Sequence, residues 1–403
     1  MQSFLQLVAH DLYAKIGNNL SRTALIFPNK RANLFFNEYL AGESDQPIWS
    51  PAAMSISDLF QKLSVQKSGD PIRLVCELYK VFKEETQSQE TLDDFYFWGE
   101  LLISDFDDVD KNMVDADKLF SNLQDLKNLM DDYEFLDKEQ EEAIQQFFQN
   151  FSIERRTELK EKFISLWDKL GTIYHHYREN LTELGIAYEG MLYRNVIEQL
   201  DTDQLKYDKY IFVGFNVLNK VESDFFRKLK DAGKALFYWD YDIFYTQQIK
   251  KHEAGEFLKR NLEEFPNELP ESFFDIFKEP KKIRYISAST ENAQARFLPE
   301  WIKMITDNHS QIAEEKEKEN AVVLCNEALL LPVLHSIPQE VKNVNITMGF
   351  PLAQTPVYSF INAVMELQTN GYRSDTGRFT YEAVSAILKH PHTRSSTSSP
   401  LSS

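Results

Sequence analysis

YDKYIFVGFNVLNKVESDFFRKLKDAGKALFYWDYDIFY, residues 207–245, reads as strand, helix and second strand. Tyr210-Ile211-Phe212-Val213 is a short, wholly apolar run, the pattern of a strand buried on both faces. Gly214 marks a turn. Val221, Phe225, Phe226 and Leu229 then recur at helical spacing, Asp231-Ala232-Gly233 ends the helix, and Ala235-Leu236-Phe237-Tyr238 makes the second strand. Such a βαβ unit predicts an α/β fold with a parallel sheet covered by helices. Groups at the carboxyl ends of the strands face the ligand in folds of this kind. Here they are Gly214-Phe215-Asn216 and Trp239-Asp240-Tyr241-Asp242.

Towards the N-terminus, residues 1–20 have a helical pattern and Arg22–Phe27 (RTALIF) reads as a strand. Pro28-Asn29-Lys30-Arg31 breaks it, and Ala32–Leu40 (ANLFFNEYL) reads as a helix. Asn29, Lys30 and Arg31 therefore sit near a helix N-terminus, where backbone N–H groups favour phosphate. A merely solvated basic turn is the competing reading. Ile48–Met54 is another short apolar stretch, and Ser55-Ile56-Ser57-Asp58 opens a helix. From about Ile72 to Leu200 the pattern is almost wholly helical, a helical insertion ahead of the central βαβ unit.

Glu279-Pro280-Lys281-Lys282 marks a junction. Beyond it, Ile283–Ala288, Ala321–Cys325 and Val344–Thr347 read as strands alternating with helices, which predicts a second α/β domain. A Ser/Thr-rich tail, TRSSTSSPLSS, closes the chain and reads as a disordered linker or as the end of a truncated product.

A length of 403 residues calls for two or three domains. The net charge of -19 argues against a generally basic nucleic-acid binder but leaves room for a local basic groove; its bland reading is solubility. Cys76 and Cys325 give neither a disulfide framework nor zinc spacing, which fits a reducing cytoplasm. There is no run of eighteen apolar residues and no secretory pattern at the N-terminus, so no membrane association is expected.

The chemistry that is missing is informative. A P-loop needs Gly-x4-Gly-Lys-Ser/Thr, and the Gly185–Gly190 spacing continues as Met191-Leu192 instead. The strand ending at Val213 runs into Gly214-Phe215-Asn216, with no carboxylate for magnesium; the nearest acids are Glu222 and Asp224. Asp240 and Asp242 read as strand-end or turn residues rather than metal ligands. The acidic run Asp105, Asp107, Asp108, Asp110, Asp115 and Asp117 lacks the glycine and spacing of a calcium loop and reads as a solvated helix end. His175-His176 has no ligand partner at metal spacing, and no serine-hydrolase elbow is present. No catalytic residue, metal or cofactor is assigned.

Ile26-Phe27-Pro28-Asn29-Lys30-Arg31-Ala32 resembles the strand-turn motif of UvrD-like superfamily-one helicases that contacts single-stranded DNA. Ile211–Asn216 occupies the place of their Asp-Glu-x-Gln-Asp motif, and Leu236–Asp240 that of the next strand, which leads to a base-stacking aromatic. NVNITMGFPLAQTPVYSFINAVMEL resembles the late half of their second RecA-like domain. Together with the acidic Asp105–Asp110 stretch, these segments look similar to the AddB/RexB-like subunit of bacterial helicase-nucleases, a PD-(D/E)XK nuclease family protein, over most of residues 20–390.

The resemblance implies two RecA-like (P-loop NTPase-like) parallel-sheet domains with a large α-helical insertion. Residues 1–70 and 206–278 would form the first, 71–205 the insertion, 279–389 part of the second, and 390–403 the tail. It implies a non-hydrolysing DNA-binding scaffold in recombinational repair of double-strand breaks, with the nuclease domain outside this sequence. DNA would be held by Asn29, Lys30 and Arg31, with Trp239 or Tyr241 stacking a base. The implied partners are single-stranded or duplex-end DNA and an AddA-like helicase-nuclease subunit, in the cytoplasm. The alternatives are an active superfamily-one ATPase with an unusual nucleotide site and an acidic helical protein-interaction scaffold.

Overall fold

The structure, a computed structural model, describes residues 2–120, 169–249, 252–305 and 320–393. It has two units, Met1–Pro280 and Lys281–Ser403.

The first unit is built on a four-stranded parallel sheet. In chain order its strands are β1 (Thr23–Phe27), β2 (Ala52–Ser55), β5 (Lys209–Val213) and β6 (Ala235–Tyr238); β3 (Lys67–Ser68) and β4 (Ile186–Ala187) form a separate short pair. The order across the sheet is β2-β1-β5-β6. Register sets Leu25 beside both Ala53 and Ile211, and Ile211 beside Leu236.

Alternation along the strands divides the core in two. Leu25, Phe27, Ile211, Val213 and Tyr238 face helices α1 (Phe4–Ile16) and α2 (Ala32–Ala41). Ala24, Ile26, Tyr210, Phe212 and Phe237 face the other side. There the chain packs α3 (Ile56–Leu63), α4 (Pro71–Thr86), α5 (Leu92–Lys111), α6 (Leu170–Glu183), α7 (Glu189–Gln199), α8 (Lys220–Asp231) and α9 (Glu253–Glu264). Both faces of the sheet are covered, so its central strands carry the apolar runs Ala24–Phe27 and Tyr210–Val213, buried at every position, as a parallel sheet favours.

Local chemistry explains the ends. Ser55 and Asp58 form a capping box that starts α3, and Asn219 and Glu222 form another that starts α8. Gly233, at φ +66°, turns the chain out of α8 into β6.

The second unit departs from the sequence expectation. Its helices are α10 (Glu291–Arg296), α11 (Leu298–Ile305), α12 (Leu330–Ser336), α13 (Pro356–Thr369) and α14 (Tyr381–Lys389), and β7 (Tyr372–Arg373) pairs antiparallel with β8 (Arg378–Phe379). The segments 283–288, 321–325 and 344–347 have strand-like sequences but belong to no sheet among the described residues. Tyr285 and Val323 are 91% and 84% exposed. A β pattern supplies propensity only; a strand also needs a neighbour to take its N–H and C=O groups. A small core of Ala295, Leu298 and Val333 holds α10, α11 and α12 together, while α13 buries none of its residues.

Candidate nucleic-acid interface

The strand order fixes where a ligand site belongs. After β1 the chain passes through α2, on one face, to β2. After β5 it passes through α8, on the opposite face, to β6. The connections leave neighbouring strands β1 and β5 in opposite directions, which makes their carboxyl ends the topological switch point. Pro28–Arg31 follows β1 there, and Gly214-Phe215-Asn216 follows β5. Gly214 has φ +73°, and a Cβ there would lie 3.6 Å from the ring of Phe4, at the start of α1.

At the β1 exit, Pro28, Asn29, Lys30 and Arg31 are all exposed. The Asn29 side-chain oxygen accepts from the Arg31 N–H at 3.1 Å and the Ala32 N–H at 3.3 Å. Asn29 thus shapes the turn and satisfies two of the N-terminal donors that would otherwise meet a phosphate. Lys30 reaches across to β2's side of the edge and pairs with Asp58 at 3.0 Å. Burial acts against the ionised Asp58 carboxyl, but the Lys30 ammonium and the Ser55 hydroxyl and N–H outweigh it and hold the carboxyl below its ordinary range.

The β6 exit corrects part of the expected base-stacking site. Trp239 is 1% exposed; its Nε1–H donates to the Phe265 carbonyl at 2.8 Å, and its ring stacks on Phe237. It is a core side chain with no face to offer a base. Tyr241 is half-buried, with Phe274 stacked on its ring at 4.4 Å. β5 stands between β1 and β6, so this exit lies about 10 Å along the edge from the Asn29–Arg31 turn. The structure does not bring the two predicted groups together.

Three of the acids near the edge, Asp242, Glu222 and Asp224, are engaged. Asp242 accepts from the backbone N–H groups of Phe244, Ile276 and Phe277, each at 2.9 Å, and so serves as a loop anchor. Glu222 caps α8, and Asp224 pairs with Lys220 and Arg227. Among the described residues no group of three or more His, Cys, Asp or Glu side chains is placed to hold a metal ion.

Sequence reasoning missed two clusters in the helical layer. Lys111, at the end of α5, pairs with Asp107 and Glu189, both at 2.7 Å, and Glu189 also meets Ser57 at the start of α3. This ties the helical layer to the carboxyl edge of the sheet.

The second cluster corrects the reading of the acidic run as a solvated helix end at one position: Asp105, Asp108, Asp115 and Asp117 are exposed, but Asp110 is not. Asp110 is 0% exposed. It accepts from Tyr174 at 2.6 Å and Tyr188 at 2.5 Å and is bound by the guanidinium groups of Arg178 and Arg194. Burial drives the Tyr188 hydroxyl well above its ordinary range, which keeps it a donor. Helical spacing held the signal: Asp110 lies four residues after Phe106, on the buried stripe of α5. A cavity of about 390 Å³ opens beside it, lined by Met113, Tyr174, His175, Arg178, Arg194 and Glu198 among others; both of its guanidinium groups are already spent on Asp110.

No helix among the described residues is long and apolar enough to cross a membrane. No family model matches the chain, and no curated protein matches it.

Proposed function

We propose that this chain is a non-hydrolysing, helicase-like scaffold that binds single-stranded DNA across the carboxyl ends of the sheet, as part of an AddB-type helicase-nuclease acting on double-strand breaks. In this reading the first unit corresponds to a RecA-like domain and the second to part of another. One observation carries it: the basic turn Pro28–Arg31 is exposed beside the switch point formed by β1 and β5. Lys30 and Arg31 supply phosphate contacts, and Asn29 holds the turn that presents them. The β5 exit has no carboxylate, so the residues that would hold magnesium against a nucleotide are lacking.

The test is fluorescence anisotropy of a labelled oligo-dT strand over a salt series, with the wild type and the Lys30→Ala/Arg31→Ala variant. Weaker binding with a shallower salt slope in the variant supports the reading, each lost phosphate contact flattening the slope by about 0.7. An absence of binding by the wild type at low salt refutes it. A protein-docking scaffold is the second reading, favoured by Phe97 and Leu101, which stand exposed four residues apart on α5.

A further inference from the structure

The outer face of α5 sets exposed apolar side chains among carboxylates that make no ion pair with any described residue. Phe97 is 63% exposed and Leu101 43% exposed. Trp98 meets the Phe97 ring edge-on at 5.7 Å. Phe95, Gly99, Phe106 and Val109 make the buried face of the helix, so the core of the first unit does not need Phe97 or Leu101. Four-residue spacing carries the outer face from Asp93 through Phe97 and Leu101 to Asp105, with Glu100 beside Phe97 and Asp108 one turn further on.

The charge on this face selects its occupant. From Leu92 to Asp110 the helix holds no Lys, Arg or His. Its inward acids have cations: Asp107 pairs with Lys111, and Asp110 with Arg178 and Arg194. Asp93, Glu100, Asp105 and Asp108 are exposed, and no ion pair reaches any of them among the described residues. Such a face repels nucleic acid and an anionic membrane surface. A second copy using the same face would set its own carboxylates against these. A purely apolar partner would cover carboxylates without pairing them. A helix with apolar residues at three- and four-residue spacing, bordered by Lys or Arg, meets both features: its apolar stripe packs on the Phe97–Leu101 ridge and its cations reach the flanking acids.

We propose that the outer face of α5, centred on Phe97 and Leu101, is the docking surface for a basic amphipathic helix of a partner protein. This deepens the protein-docking reading, on which it rests, and does not depend on DNA binding at the sheet edge.

The experiment separates apolar docking from charge attraction. Anisotropy is measured with three labelled peptides of equal length: a helical peptide with Leu at i, i+3, i+4 and i+7 bordered by Lys, a scramble of the same composition, and the same Leu pattern bordered by Gln. The proteins are the wild type, Phe97→Ala/Leu101→Ala and Asp105→Asn/Asp108→Asn, each checked for folding by circular dichroism and thermal melting. The patterned Lys peptide should bind the wild type, and Phe97→Ala/Leu101→Ala should weaken it roughly 30-fold. Asp105→Asn/Asp108→Asn should weaken it roughly 2- to 30-fold and lessen its dependence on salt. Equal binding of the scramble, unaffected by Phe97→Ala/Leu101→Ala, overturns the proposal and leaves only charge attraction. Equal or tighter binding of the Gln-bordered peptide overturns the basic partner and leaves the docking reading standing. A wild type that sediments as a dimer, with Phe97→Ala/Leu101→Ala monomeric, overturns the proposal by making the face an interface between copies. A monomeric wild type that binds no peptide overturns the proposal and the docking reading together.

Discussion

Trp239 donates its indole N–H to the main-chain carbonyl of Phe265 at 2.8 Å, inside a core that leaves the ring 1% exposed. The bond spans from the end of β6 to the residue that ends α9, so the indole fastens a helix and its following loop to the sheet. Asn267 adds to this: its side-chain oxygen accepts from the Trp239 N–H at 3.1 Å, and its amide donates to the Trp239 carbonyl at 3.2 Å. Trp239→Ala is expected to destabilise the first unit by about 3–5 kcal/mol. Trp239→Phe, which keeps most of the packing but leaves the Phe265 carbonyl unpaired, should cost about 1–3 kcal/mol. Urea denaturation measures both, and Trp239→Phe should leave oligo-dT affinity at the wild-type value.

Asp110 holds the helical layer together through charge. Removing its charge by Asp110→Asn leaves Arg178 without a carboxylate partner and Arg194 with Glu198 alone, at 2.9 Å. The expected cost is about 3–5 kcal/mol, nearer the lower figure because both guanidinium groups keep some contact with water. Thermal melting of Asp110→Asn against Asp105→Asn, an exposed neighbour on the same helix, checks that the loss belongs to the buried cluster and not to the acidic run in general.

Glu222 gives a pH signature. Burial pushes its carboxyl above the ordinary 4.5, outweighing the Asn219 N–H and the charge of Lys111. With the folded value raised, the ionised form at neutral pH costs stability, and the cost is relieved as pH falls through the folded value. Glu222→Gln keeps an acceptor for the capping box without the charge. It should be more stable than the wild type at pH 7, with the advantage shrinking as pH falls through the raised value and levelling off below about 4.5, the unfolded value. Denaturation midpoints of the two proteins from pH 7 to pH 4 test this; an advantage that grows on acidification would show the sign to be wrong.

Much of the first unit was legible locally. Strand runs such as ALIF and YIFV are apolar at every position, and Ser55, Asp58, Asn219 and Glu222 announce helix starts through hydrogen bonds that close within three residues. The basic turn after β1 was legible for the same reason: proline, asparagine and the start of an amphipathic helix sit next to one another in sequence. Asp110 was partly legible, since its position on the buried stripe of α5 marked it, but its partners come from α6 and α7, more than sixty residues away in sequence.

What the sequence determined by itself was therefore short-range: that the first unit alternates strand and helix, where several of its elements begin and stop, and that one strand ends in exposed cations. Tertiary structure decided the rest. It set the order β2-β1-β5-β6, and with it the switch point. It put Trp239 in the core and Phe35 on the surface, although both are aromatic residues just past a strand or a turn. It also left the apolar segments of the second unit without sheet partners among the described residues. The physical reason is common to all of these. Periodicity and caps report interactions between residues a few positions apart, whereas strand pairing, burial and the partners of a buried charge depend on which distant segments meet.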